Sequence, residues 1–588
     1  MMKLNYKRTI LVGFAFFLIC AFWQAYDAIV PLMLVNKFGL NHSASGAIMA
    51  IDNVLALFML PLFGALSDKS TSKRGKRTPY ILIGTIVAIA TFIGLSFADN
   101  AQLAQIKSTD DPAVFQEQLF DEIDSEIVNA EKKNVFSDSV AKNYTVKDYA
   151  SMIKYNKLYD QLTEEECAQL KQWYKGITYA ESNEDYECFY YFDAENFVYH
   201  YLGDAKPSDE ITSKFIKGNL YTNLVTPAIS AYAWQKTVEN PVPLIFFIIT
   251  LLSVLIAMAV FRSPAVALMP DVTIKPLRSQ ANAIINLMGT FGGMLVLVLG
   301  MVFDTGKVYN QTNSFTAYII AVCAIMAVGL TIFMAFVREP KWAKEMQEES
   351  QRLGIETQSD EVEEASDGEV KSTDKGDNGG IKELFKEDKG KFFSLILILA
   401  SVALWFTGYN AASTKYSLYA TNVLHKDYNT TLLIAQVAAV LAYLPAGALS
   451  KKIGRRKSIL IGIAILVAAF FSVTFFTSET PMIFINIAFI CGGIGWANIN
   501  VNSFPMVVEL AKGSNVGKYT GYYYTASMAA QIITPILSGA IMDLFKSMSP
   551  LFYYSTIFIG LSFVTMLFVK HGDAQKKEEK VQATAKTE

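Results

Sequence analysis

Charge is scarce in this sequence. Of its 588 residues, 18% are Asp, Glu, Lys or Arg, against about 25% in an ordinary soluble protein. Histidine occurs four times, at 42, 200, 425 and 571, without the close spacing of a metal-ligand set. Five cysteines are too few and too scattered for a disulfide-stapled scaffold. No HExxH helix and no GxxxxGK[ST] loop occurs. That removes a zinc protease of this type and a pump driven by a P-loop ATPase. A formal net charge of −3 argues against a nucleic-acid-binding domain, which would be basic. The first apolar run follows the short basic start MMKLNYKR. It is long and lacks a small-residue cleavage pattern, so it reads as an uncleaved span rather than a signal peptide.

What is abundant is apolar: 52% of residues are hydrophobic, 40 are phenylalanine, and mean hydropathy is +0.29. About 20 such residues cross the hydrocarbon core as a helix. Six runs near 9–35, 44–66, 79–98, 242–264, 281–303 and 314–337 meet this requirement. Six more follow near 392–411, 430–450, 458–477, 481–508, 519–542 and 550–569. The 392–411 and 430–450 runs are interrupted by polar residues. The expected fold is an all-α polytopic membrane protein of twelve spans.

The charges set the expected orientation. GALSDKSTSKRGKRTP, 64–79, holds Lys69, Lys73, Arg74, Lys76 and Arg77 against one acid, Asp68, between two apolar runs. KKIGRRK, 451–457, is a second basic knot. Lys275, Arg278, Lys512 and Lys518 fall in connections on the same side. Basic connections are retained in the cytoplasm, so both termini are expected inside a cell membrane. The outer connections 36–43, 304–313 and 412–429 hold fewer bases. The long insertion 99–241, between the third and fourth spans, also falls outside. It has 25 acids and 13 bases, and its apolar and aromatic residues suffice for a small core. It contains Cys167 and Cys188, either two thiols or a disulfide where the outside is oxidising. Residues 338–391 form the expected cytoplasmic linker, partly disordered because 359–380 is charged and Gly-rich. The expected organisation is therefore 1–98, insertion 99–241, 242–337, linker 338–391, second half 392–570 and tail 571–588.

The two sets of six echo each other. GALSDK, 64–69, recurs as GALSKK, 447–452. GKRTPYILIG, 75–84, recurs approximately as GRRKSILIG, 454–462, and GMVFD, 300–304, as GAIMD, 539–543. Parallel repeats about an axis along the membrane normal are an architecture of secondary transporters. The repeat therefore favours a transporter over a channel or a membrane enzyme.

The 64–79 loop resembles the signature between the second and third helices of the major facilitator superfamily. The matching residues are Gly64, Asp68, Lys69, Gly75, Lys76 and Arg77, with extra residues between the acid and the second glycine. That expanded form, followed by Pro79, resembles the sucrose-type branch and related glycoside–cation symporters. WQAYDAIVPLML at 23–34, Asp52 within MAIDNVLALFMLPLFGALSD, FRSPAVALMPDV at 261–272 and GIGWANINVNSFPMVVEL at 493–510 resemble its first, second, fourth and tenth helices. The fourth-helix pattern is one residue looser before Ala267, and Lys451 stands where the first repeat has Asp68. The resemblance does not cover 99–241. It implies two six-helix halves and symport of a disaccharide or other glycoside, such as sucrose or maltose, with H⁺. Na⁺ as the ion, or a sugar sensor that does not transport, are the alternatives. No cofactor, metal or nucleic acid is expected; the partners are the sugar, the ion and the bilayer, with the chain working as a monomer.

Charged residues within spans are costly and face a cavity or a partner. Asp27 and Asp52 are the cation-coupling candidates, because a carboxylate takes up H⁺ or ligates Na⁺. The resemblance adds that acids in the first two helices have this role. A sugar needs hydrogen-bonding groups and an aromatic platform. Trp23, Gln24, Asn53, Arg262, Asn282, Asn286, Asn410, Trp496, Asn498, Asn502 and Gln531 are the substrate-binding candidates. The amides have a second reading as hydrogen-bonded glue between helices. Gly64, Asp68, Arg74, Gly75, Lys76, Arg77, Arg455 and Arg456 are the gating candidates, at the cytoplasmic ends of helices that must move. Asp304 and Asp543 stand at outer ends, where they cap or gate.

Overall fold

The computed structural model describes residues 4–106, 226–306, 314–353, 389–424, 426–477, 480–510, 516–545 and 547–572. Residues 107–225 of the expected insertion, with Cys167 and Cys188, the 359–380 segment and the 575–588 tail lie outside them. The described residues form fourteen helices of three turns or more. In the first half these are α1 (Tyr6–Leu32), α2 (His42–Asp68), α3 (Thr78–Ile106), α4 (Thr226–Glu239), α5 (Val242–Val272), α6 (Arg278–Val302) and α7 (Thr316–Phe336). After the short α8 (Glu339–Arg352) come α9 (Lys389–Asn422), α10 (Tyr428–Ile453), α11 (Arg455–Val473), α12 (Met482–Val508), α13 (Val516–Phe545) and α14 (Pro550–Leu567).

Eleven of these are long and apolar enough to span a membrane. The twelfth expected span, α10, is 26 residues long, with an apolar stretch at Tyr428–Tyr443. Its partly polar composition was the weakness visible in the sequence. Helices are the natural product of these runs: without water, each backbone amide must be bonded within its own segment. Polar residues start several of them. Asn5, Asn41 and Asp427 accept hydrogen bonds from the first free amides of α1, α2 and α10, as N-caps do.

Two boundaries differ from expectation. Residues 412–429 were expected as an outer connection, but α9 continues through Asn422 and buries Lys415. The third span was expected to end near 98, but α3 runs to Ile106. Its extra turns bury Asp99, which pairs with Lys37 and accepts from the Phe315 amide at 2.9 Å. Lys37 closes a π-helical turn, Met33–Lys37, at the end of α1. The ammonium also lies 4.2 Å from the Phe315 ring centre. A buried pair of this kind ties the ends of α1, α3 and α7 together.

The halves are built alike. In the first, α1 packs on α6 and α7, and α5 on α2 and α3, while α3 also meets α7. In the second, α9 packs on α13 and α14, and α12 on α10 and α11, while α11 also meets α14. Counted by span, these pairings match one for one. The internal sequence repeat is therefore a repeat of packing. Between halves, α2 meets α13, α6 meets α10 and α1 meets α9.

The hydrogen bonds between halves gather at the ends away from the basic loops. Asn36 and Asn422 exchange bonds of 3.2 and 2.9 Å. Thr305 accepts from Tyr428 at 2.8 Å and from Asn429 at 3.0 Å. Asp543 accepts from the His42 and Ser43 amides at 2.8 and 2.7 Å. The molecule is thus closed on that side, with its central cavity beneath.

A charged cavity between the halves

α1, α2 and α5 from the first half meet α9 and α13 from the second around a cavity of about 210 Å³. The first half contributes Trp23, Tyr26, Asp27, Met49, Asp52, Asn53 and Arg262. The second contributes Asn410, Ser413, Thr414, Gln531 and Pro535. Helical spacing explains these groups: Trp23, Tyr26 and Asp27 share a face of α1, as do Met49, Asp52 and Asn53 on α2. The charges all come from one half and the other supplies neutral amides and hydroxyls.

Asp52 accepts from its neighbour twice, from the Asn53 amide at 2.6 Å and from Asn53 Nδ2 at 2.7 Å. It lies within electrostatic reach of Arg262 and Asp27. The Arg262 guanidinium stands 5.7 Å from the Trp23 ring centre, a cation–π distance. Trp23 Nε1, the Tyr26 hydroxyl and Asn410 Nδ2 are buried without a hydrogen-bond partner among the described residues. Buried donors of this kind are costly unless an acceptor meets them. Three converge on a cavity that also offers two carboxylates. The arrangement suits a polar, uncharged, many-handed ligand held beside a titratable centre.

Seven of the residues singled out in the sequence therefore line one cavity: Trp23, Asp27, Asp52, Asn53, Arg262, Asn410 and Gln531. The other six are placed elsewhere. Gln24 accepts from Gln436 Nε2 of α10 at 2.5 Å. Asn282 accepts from Asn286 at 3.1 Å. Asn502 Nδ2 bonds Ser458 Oγ at 3.2 Å, and Ser458 bonds Asn498 at 3.3 Å, so these two amides join α12 to α11. Trp496 stacks flat on Tyr409, ring centres 3.7 Å apart. Tyr26, Met49, Ser413, Thr414 and Pro535 line the cavity but were not singled out. Tyr26 follows Trp23 by three residues and Thr414 follows Asn410 by four, so the helix face was the available signal.

The basic loops stand at the far end of the same helices. Arg77 pairs with Asp68 and, through Nε, with Asp271 at 2.8 Å. It also donates to Ser67 and, at 3.5 Å, to the Gly64 carbonyl. Burial disfavours the Arg77 charge, but Asp271 and Asp68 outweigh it and hold its pKa above the ordinary value. Glu339, at the start of α8, accepts from the amides of Lys76, Arg77 and Thr78 at 2.6, 2.9 and 2.8 Å, and from the Thr78 hydroxyl at 2.7 Å. This carboxylate caps α3 from another element. Gly75 has φ +113°, and a Cβ there would lie 2.3 Å from Glu339 Oε2. Its repeat partner Gly454 also has positive φ, +93°. Arg74 is exposed and its amide bonds Ser72 at 3.2 Å. In the second half Arg455 lies 3.6 Å from Glu509 and Arg456 bonds the Met566 carbonyl at 3.3 Å. Arg77–Asp271 and Arg455–Glu509 each link the third span of a repeat to its fourth, although by the repeat Arg455 corresponds to Lys76.

The Major Facilitator Superfamily profile matches residues 223–497 and 426–587. The chain belongs to the major facilitator superfamily. A profile described as MFS/sugar transport protein matches residues 11–107. The sucrose transport protein SUT3 of Oryza sativa subsp. japonica is 29% identical over 82 residues, covering 14% of this chain and 16% of that protein. The stretch shared with that curated relative is therefore well under a fifth of either chain. Among solved structures, the inward-open xylose transporter XylE from E. coli is similar with a TM-score of 0.52 at 12% identity. It covers 96% of this chain and 97% of its own. A D-xylose-proton symporter gives 0.51 at 12% identity, over 97% and 99% of the two chains. At such identity the likeness is one of fold. Membership of this superfamily makes the chain a multi-pass membrane protein of a family that is not one of enzymes.

Proposed function

We propose that this superfamily member is a secondary active transporter that carries a disaccharide or related glycoside, such as sucrose or maltose, together with H⁺. One observation carries the reading. Asp27, Asp52 and Arg262 share a cavity between the two halves with the Trp23 ring and the neutral polar groups of α9 and α13. The sugar transport profile over 11–107 and the short likeness to a sucrose transporter support it. In this reading the sugar packs on Trp23. Its hydroxyl oxygens accept from Trp23 Nε1, Tyr26 and Asn410, and its hydroxyl protons go to Asp27 and to the amide oxygens of Asn53 and Gln531.

The ion acts on the carboxylates of the first half. Arg262 offsets only one of the two acids, so a proton on the second removes a net charge from the buried site. That changes the cost of enclosing it, and a ligand that changes this cost biases one state of the carrier over another. Sugar and ion contact the same two helices, so each raises the other's affinity by the same factor.

The test is uptake by the full chain in proteoliposomes, across a panel of mono- and disaccharides, under imposed H⁺ or Na⁺ gradients. Concentrative disaccharide uptake driven by an inward H⁺ gradient is the expected result. Accumulation driven by Na⁺ alone would change the ion. Binding and exchange with no accumulation under either gradient would overturn symport. Accumulation of a non-sugar solute in preference to every sugar would overturn the substrate class.

A further inference from the structure

α2 begins at the side of the molecule away from the basic loops, and its first amides are satisfied from two sources. Asn41 of the same connection accepts from the Ala44 amide at 2.8 Å. Asp543, near the end of α13 in the other half, accepts from the amides of His42 and Ser43 and from the Ser43 hydroxyl. A carboxylate is strongly held at a helix N-terminus, where free amides and the helix dipole both favour negative charge. Here that carboxylate belongs to the opposite half.

A cation completes the group. Lys415 of α9 is 5% exposed, and its ammonium donates to the His42 carbonyl at 3.3 Å. It lies within electrostatic reach of Asp543. The backbones are in contact at this point as well: a Cβ on Gly539, one turn before Asp543, would lie 2.3 Å from the His42 carbonyl oxygen. A second, much smaller cavity of about 10 Å³ lies under this cluster, lined among others by His42, Ser45 and Lys415. It shares Met49, Thr414 and Pro535 with the large charged cavity. The cluster is therefore the roof of the central site.

The repeat makes the cluster's charge informative. The contact related to it, between α6 and α10, is built differently: Thr305 bonds Tyr428 and Asn429, and the carboxylate beside them, Asp427, caps its own helix α10 rather than one in the opposite half. Asp304, the sequence counterpart of Asp543, is exposed. The two symmetric sides of the same closure thus differ, and in the α2–α13 contact the capping carboxylate comes from the opposite half and a lysine is buried beside it.

We propose that Asp543, Lys415 and the start of α2 form an electrostatic catch that sets how long the carrier stays closed on this side, and that opens and re-forms in each transport cycle. When the halves part, water solvates both charges. When they meet, Asp543 must satisfy the α2 amides and neutralise Lys415 together. Removing the carboxylate charge leaves the ammonium buried without its counter-charge, and the open arrangement becomes the cheaper one.

The experiment needs no substrate, so its failure is distinct from failure of the sugar reading. A single cysteine is placed at Ser45, which lines the small cavity beneath the catch, in a chain whose native cysteines are serine. An impermeant thiol reagent is added to oriented vesicles on the side opposite the basic loops. Asp543→Asn should speed labelling by about tenfold or more, within the range of ordinary coupling energies. Adding Lys415→Met should bring the rate back toward the parent, because no unpaired cation remains. Ser43→Ala, a milder change that keeps both charges, should speed labelling about twofold to fivefold and decides the matter where Asp543→Asn does not fold. Labelling unchanged in Asp543→Asn, or in Ser43→Ala where that variant decides, would overturn the catch. An increase that Lys415→Met fails to reduce would remove the lysine from it.

Discussion

Asp52 is the residue on which the proposed coupling turns. Its immediate bonds are to Asn53, and its charged neighbours are Arg262 and Asp27. Asp52→Asn keeps the volume and one acceptor oxygen while removing the site for a proton. The expected outcome is sugar binding and exchange within about threefold of the parent, with gradient-driven accumulation lost. Counterflow and concentrative uptake in the same vesicles measure the two separately. Accumulation equal to the parent would take Asp52 out of the mechanism and leave Asp27. Both acids were legible in the sequence because a carboxylate in an apolar run has few bland explanations. The amides were not. Asn53 and Asn410 face the cavity, whereas Asn498 and Asn502 bond across to α11. An amide serves either purpose equally well, and only the partner across the helix pair decides which.

Elements are pinned to one another by buried charge in places where hydropathy says nothing. Lys37 read as a residue of a short outer connection. The π-helical turn at the end of α1 carries it inward onto Asp99, which read as the start of the insertion. Hydropathy finds the middle of a span and is blind to an ion pair that closes its end. Helix continuation past an expected edge is likewise a tertiary effect: α3 and α9 run on because their extra turns are packed, not because they are apolar. Removing one partner of a buried pair costs about 3–5 kcal/mol, while replacing both with well-packed apolar groups is often neutral. Asp99→Asn is therefore expected to lower the thermal unfolding midpoint in detergent, and Lys37→Met with Asp99→Leu to recover most of the loss. A double variant no more stable than Asp99→Asn would mean that the pair supports the fold in a way that packing cannot replace. Glu339 illustrates the opposite case. Nothing in its sequence neighbourhood marks it, yet it caps α3, and the Gly75 that leaves room for it was visible as part of the loop motif.

At the scale of the whole molecule, the repeat was the most legible feature and the structure gives it physical meaning. Matching short motifs such as GALSDK and GALSKK sit at matching corners of two halves that pack their six spans alike. The orientation of those halves in the membrane follows from charge. The loop around Lys69 to Arg77 and the loop 451–457 lie at one end, with Arg77 and Arg455 linked to acids at the helix ends there. α3 ends at the other end, and the insertion 99–241 holds 25 acids and 13 bases. Basic connections stay on the cytoplasmic side during insertion, and acids contribute little. From the charge pattern we predict both termini inside, the insertion outside, and the sealed contacts Asn36–Asn422 and Ser43–Asp543 at the outer face. Two exposed residues at opposite ends report this arrangement: Ser72 in the basic loop and Asn240 between α4 and α5. In a chain whose native cysteines are serine, Asn240→Cys should react with an impermeant thiol reagent added to intact cells. Ser72→Cys should react only after the membrane is opened. The reverse pattern would invert the topology, and with it the side from which the central cavity is closed. Equal labelling of both positions in intact cells would rule out α3 as the single span that separates them.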